Sequence, residues 1–63
     1  MKAQKLADSK GVELLGFTND VALCDRGRGY HPYVTWRFYE DHFYSGNYFE
    51  TLEEAKADFK ERI

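Results

Sequence analysis

Two neighbouring stretches decide how this chain folds. One is Tyr33-Val34-Thr35-Trp36-Arg37-Phe38-Tyr39; the other is Thr51-Leu52-Glu53-Glu54-Ala55 with its continuation to Ile63. In the first, Val34, Trp36 and Phe38 alternate with Tyr33, Thr35, Arg37 and Tyr39, the two-residue period of a strand with two unlike faces. In the second, Thr51 is placed to accept the backbone N–H of Glu54 while the Glu54 carboxylate reaches back to the N–H of Thr51, a capping box that opens a helix. Leu52, Ala55, Phe59 and Ile63 then fall on one helical stripe. Glu53 and Glu54 sit at the positive end of the helix dipole, and Lys60 and Arg62 at the negative end.

Upstream of the first stretch, Val12 to Phe17 and Val21 to Cys24 read as two strands joined by Thr18-Asn19-Asp20, residues that tolerate positive φ and bond their own backbone. Asp25-Arg26-Gly27-Arg28-Gly29 is a loop, and His31-Pro32 opens the third strand, where proline is tolerated. Glu40-Asp41-His42 is read as a three-residue turn into a fourth strand, Phe43 to Phe49. That register sets Gly46 opposite Trp36, so that the indole covers the missing side chain, and places Tyr44 and Tyr48 on the Trp36 face. Residues 1–10 read as frayed or as a short helix ended by Gly11, because so short a helix is marginal alone. The expected fold is α+β: one domain spanning 1–63, with a small antiparallel sheet of three or four strands and a C-terminal helix packed on one face. Phe59 is expected against Trp36, leaving Arg37 free on the far side.

Size and composition narrow the function. Sixty-three residues with 43% hydrophobic and 32% charged side chains make a small folding chain, and a chain of this size buries only about 60% of its unfolded surface. Nine of its eleven aromatic residues lie between Tyr30 and Phe49. That is more ring surface than one short helix covers, which favours a protein partner or a homodimer. No apolar run approaches a membrane span, Met1 to Leu6 lacks the apolar stretch of a signal peptide, and the single Cys24 allows no intrachain disulfide. A cytoplasmic protein is expected.

No residue set calls for catalysis. Cys24 with His31 or His42 as base ends a strand rather than opening a helix, and reads as a small buried hydrophobe. His31, His42, Cys24, Asp25 and Asp41 are metal-ligand types without metal-ligand spacing, so no metal or cofactor is expected. Glu53, Glu54, Asp58 and Glu61 read as solvated helix surface, and Gly27 and Gly29 do not open a helix as a phosphate loop would. The expectation is a non-enzymatic interaction module. The alternative is a nucleic-acid-binding accessory protein using Arg26, Arg28 and Arg37 with Tyr30, Tyr33 and Tyr39, cations interleaved with rings, although a net charge of −2 is acidic for that role.

The run His31-Pro32-Tyr33-Val34-Thr35-Trp36-Arg37, followed by Gly46-Asn47-Tyr48-Phe49 and by Thr51-Leu52-Glu53-Glu54-Ala55 to Asp58-Phe59, resembles small uncharacterised proteins (a domain of unknown function) of Gram-positive gut bacteria and their mobile elements. That resemblance implies no activity. A looser similarity runs to three-stranded-sheet DNA-binding domains, those of plant ethylene-response factors and transposon integrase arms, carried by Trp36, Gly46 with Tyr48, and Thr51, Glu53, Glu54 and Ala55. It implies DNA contact through the exposed sheet face, where this chain has Arg37 with Thr35, Tyr39 and Ser45 beside it.

Overall fold

The computed structural model describes residues Met1–Ile63. Helix α1 (Lys2–Lys10) precedes four strands, β1 (Glu13–Thr18), β2 (Val21–Asp25), β3 (Tyr33–Tyr39) and β4 (His42–Phe49), and helix α2 (Leu52–Arg62) follows them. The strands form one antiparallel sheet in the order β1-β2-β3-β4. The expected α+β arrangement is present, with the sheet four-stranded and a helix at each end of the chain.

Residues 2–10 are a regular helix, not a frayed segment. Gly11 adopts φ +73°, and the N–H groups of Gly11 and Val12 donate to the carbonyls of Asp8 and Ala7 at 3.1 and 3.0 Å. These bonds close a Schellman motif. Ala3 and Ala7, one turn apart, are buried. Tertiary burial supplies what local propensity lacks. At the other end both limbs of the Thr51/Glu54 capping box form, with Glu54 N donating to Thr51 Oγ1 at 3.2 Å and Thr51 N donating to Glu54 Oε1 at 3.3 Å.

The β3–β4 hairpin splits the expected register in two. Its turn holds two residues, Glu40 and Asp41, both at positive φ (47° and 67°), as a type I′ turn requires, so His42 belongs to β4 and faces Tyr39. Phe43 therefore pairs with Phe38, and Tyr44 with Arg37. A bulge at Ser45-Gly46, with Ser45 at φ +53°, inserts one residue opposite Trp36. Beyond it Asn47 faces Thr35, Tyr48 faces Val34 and Phe49 faces Tyr33, the pairing a three-residue turn would have produced. The indole does lie over Gly46, and Tyr48 shares its face, but Tyr44 does not: a one-residue difference sends it to the opposite side.

The two sheet faces are covered in the reverse of the expected sense. Thr35 Oγ1 donates to Asp58 Oδ2 at 2.5 Å, and Phe59 lies 3.6 Å from the position a Cβ on Gly16 would take, so α2 packs on the face of Gly16, Leu23, Thr35 and Asn47. Trp36 is on the other face with Ala22, Cys24 and Val34, which form the buried core cluster beside Val12, Leu14, Phe17 and Phe43. Arg37 shares the α2 side. The cause is in the stripe α2 turns inward, which is Ala55, Asp58, Phe59 and Arg62. Asp58 needs hydrogen-bond partners, which Thr35 and Asn47 supply. The Trp36 face offers rings and aliphatic groups, against which a buried carboxylate costs several kcal/mol.

Helix α1 takes the Trp36 face. It starts beside the β3–β4 turn, where Lys2 Nζ is 3.7 Å from Asp41 Oδ1, and ends at the start of β1, so it crosses the sheet diagonally. The residues it buries are Ala3 and Ala7, side chains small enough to let a helix lie close on a sheet. The architecture is three layers, α1 over sheet over α2.

Candidate interaction surfaces

The β3–β4 hairpin extends past the end of α2, and its tip carries the first surface. Arg37 pairs with Tyr44, and Tyr39 with His42, so these four side chains share the α2 side of the sheet. All four are exposed, Tyr39 by 65% and Tyr44 by 50%. The last turn of α2 stops beside them, where Arg62 Nη2 donates to Ser45 Oγ at 3.5 Å.

The second surface is the loop between β2 and β3, at the opposite end of the sheet. The loop base is tied down. Arg26 N donates to Pro32 O at 2.7 Å, and Gly27 N donates to Asp25 Oδ1 at 2.7 Å. The Arg26 guanidinium lies 4.9 Å from the Tyr48 ring centroid and donates to His31 O at 3.4 Å. Gly27 and Gly29 take φ +70° and +84°, turning the chain twice. Arg28 and Tyr30 are left at the tip, Tyr30 exposed by 82% and its ring centroid 5.5 Å from that of His31. His31 Nε2 is 3.8 Å from Glu50 Oε1.

The six residues expected to form one cationic-aromatic surface are thus divided. Arg26, Arg28 and Tyr30 gather at the loop. Tyr33, Arg37 and Tyr39 line β3 on the α2 side, with Tyr33 half-buried beside Phe49. From Tyr33 to Tyr39 the strand runs about 20 Å. Tyr48 was read only as a core-face residue. Its place under Arg26 follows from loop closure, which no local spacing reveals. His42 was read as a hairpin-tip residue and is exposed beside that tip.

The candidates for chemistry are placed just as plainly. Cys24 is fully buried, and burial pushes its thiol up to about 12 from an ordinary 9.0. It forms part of the Ala22–Val34 core cluster. Asp58, read as solvated, is largely buried and central. Its Oδ2 accepts from Thr35 Oγ1 and from Asn47 Nδ2 (3.2 Å), and Arg62 Nε lies 3.4 Å away. No group of three or more His, Cys, Asp or Glu side chains is arranged to hold a metal ion. One open depression of about 400 Å³, lined by Lys2, Lys5, Leu6 and Asp41, lies at the start of α1. No helix is long and apolar enough to cross a membrane. No protein-family model, curated protein or solved structure matches this chain, so the likenesses drawn above rest on the residues that carry them.

Proposed function

We propose that this chain is a small non-enzymatic interaction module, and that its hairpin tip binds protein, in the first instance a second copy of itself. The observation that carries this reading is the patch of Arg37, Tyr39, His42 and Tyr44, exposed on one side of a paired hairpin beyond the reach of α2. Tyrosine and arginine are the residue types that contribute most at protein interfaces, because each combines a large apolar body with a polar end and loses little side-chain entropy for the area it covers. The bulges in both edge strands, at Leu15 and at Ser45-Gly46, favour contact through this patch over edge-to-edge strand pairing.

A non-catalytic role is supported by the state of Cys24, whose raised pKa and full burial keep it a thiol away from any substrate. A free, buried cysteine also suits a reducing compartment, and we place the protein in the cytoplasm on that basis.

Sedimentation velocity across a concentration series tests the proposal. The wild-type chain is expected to show a concentration-dependent shift toward dimer, abolished in the double variant Tyr39→Ala, Tyr44→Ala while its circular dichroism is unchanged. A strict monomer near 1 mM, or a dimer the double variant leaves intact, removes the hairpin tip as the self-association surface.

A further inference from the structure

We propose that the Arg26–His31 loop, together with Tyr48, is a stacking site for single-stranded nucleic acid, with the α1 lysines as its electrostatic approach. This goes beyond the self-association reading and uses the other end of the sheet, so the two stand or fall separately.

Two independent observations carry it. The first is geometric. The loop is pinned at its base by the Arg26, Gly27 and Asp25 bonds, so its tip is held out rather than collapsed onto the sheet. Tyr30 is the most exposed large apolar side chain in the molecule, set against the His31 ring. Beside it the Arg26 guanidinium lies over the ring of Tyr48, itself 47% exposed. Flat, exposed rings and a flat guanidinium suit the face of an unpaired base, which any base sequence presents. A duplex hides those faces within its stack, which is why the ligand is single-stranded.

The second observation is where the charge sits. Although the chain is acidic overall, Lys2, Lys5 and Lys10 lie on α1, where Asp8 is the one acidic residue, and α1 is on the same side of the sheet as Arg26 and Tyr48. Lys5, Lys10 and Arg28 form no ion pair, and Lys2 has only an exposed one with Asp41. The acidic side chains Glu53, Glu54, Asp58 and Glu61 belong to the opposite layer. A polyanion approaching this side therefore meets Lys2, Lys5, Lys10, Arg26 and Arg28 against Asp8, Asp41 and Glu50, a cationic excess that the net charge of the whole chain does not show.

The test is fluorescence anisotropy with end-labelled 15-nucleotide dT and U strands, titrated with the full chain at low and physiological salt. Binding is expected at low salt, with log K falling against log[salt] at a slope of about −2 to −3, the value for three or four phosphates on a single strand. Tyr30→Ala is expected to weaken binding roughly tenfold or more, and Tyr30→Phe to restore it. Arg28→Ala should flatten the salt slope by about 0.7. Both side chains are exposed at the loop tip, so these variants keep the fold, and circular dichroism checks it. Lys56→Ala, exposed on α2 across the sheet, should leave this binding unchanged. Preference for one strand over the other assigns DNA or RNA within the proposal. Absence of binding at low salt overturns it. So does a Tyr30→Ala variant that binds as the wild type does, or a Lys56→Ala loss equal to that of Arg28→Ala. A change in sedimentation rather than anisotropy on Tyr30→Ala also overturns it, by making the loop a protein interface.

Discussion

The two faces of the sheet are held in opposite ways. On the Trp36 side, ring meets ring: Trp36 lies parallel to Phe43 at 4.9 Å, Tyr48 meets its edge, and Phe17 and Phe43 each meet Phe38 edge-on. Helix α1 closes that face with alanines. On the α2 side the contact is made by small groups and a charge. Phe59 packs on Gly16, Ala55 and Leu23 are buried on this side, and the Asp58 carboxylate joins Thr35, Asn47 and Arg62. Arg62 Nη1 is enclosed with no hydrogen-bond partner, so the polar cluster is not fully satisfied. The contrast teaches that apolar area fixes how strongly a layer is held, while a buried polar group fixes which face a helix can occupy. Rings tolerate many partners; a carboxylate accepts few.

Four experiments probe that contrast, from the largest effect to the smallest. Trp36→Ala should lower the unfolding free energy by about 3–5 kcal/mol in urea titration, because the stack on Phe43 and the cover over Gly46 go together. A loss below about 1 kcal/mol would mean that the aromatic face is not what holds the sheet. Asp58→Ala should cost about 1–3 kcal/mol, since the fully buried Thr35 hydroxyl loses its acceptor and Arg62 its carboxylate. In a double-mutant cycle with Thr35→Val, the coupling should reach about 1 kcal/mol, and strict additivity would show the bond to be incidental.

The two glycines separate the faces by sign. A Cβ on Gly46 would sit 2.6 Å from Trp36 Nε1, so Gly46→Ala should destabilise by about 1–3 kcal/mol. On Gly16 the nearest atom is Phe59 Cζ at 3.6 Å, an ordinary contact, and Gly16→Ala should be neutral or stabilise by up to about 1 kcal/mol through the unfolded chain. Equal effects at the two positions would erase the difference in packing. The last experiment is alkaline titration. The folded chain keeps Cys24 protonated to about pH 12, while the unfolded chain ionises from about 9.0, so the contribution of Cys24 to stability is constant below pH 9 and is lost above it. Read at pH 10, that loss should be about 1 kcal/mol, and it should be absent from a Cys24→Ala variant, whose pH profile is the comparison.

Much of this was legible in residue order. The alternation along Tyr33–Tyr39, the turn at Asn19-Asp20, the Gly11 stop and the Thr51/Glu54 box each act within a few residues, where local geometry decides. The hairpin register was legible in part. Glu40-Asp41 lacks the glycine that marks a two-residue turn, and the Ser45-Gly46 bulge that compensates is visible only once Trp36 presses on Gly46. The loop surface was half legible: Arg26, Arg28 and Tyr30 are adjacent in the chain, whereas Tyr48 arrives through pairing with Val34.

Order of residues alone determined an antiparallel sheet of three or four strands and a capped helix after it, because period, cap and turn chemistry are short-range forces read directly from neighbours. Which side of the sheet that helix lies on was decided only in three dimensions. Its apolar stripe would fit either face, and the choice fell to Asp58, whose carboxylate finds donors at Thr35 and Asn47, 23 and 11 residues away along the chain. That search for a buried partner put the indole under α1, the Arg37 guanidinium on the α2 side, and the two candidate surfaces at opposite ends of the molecule.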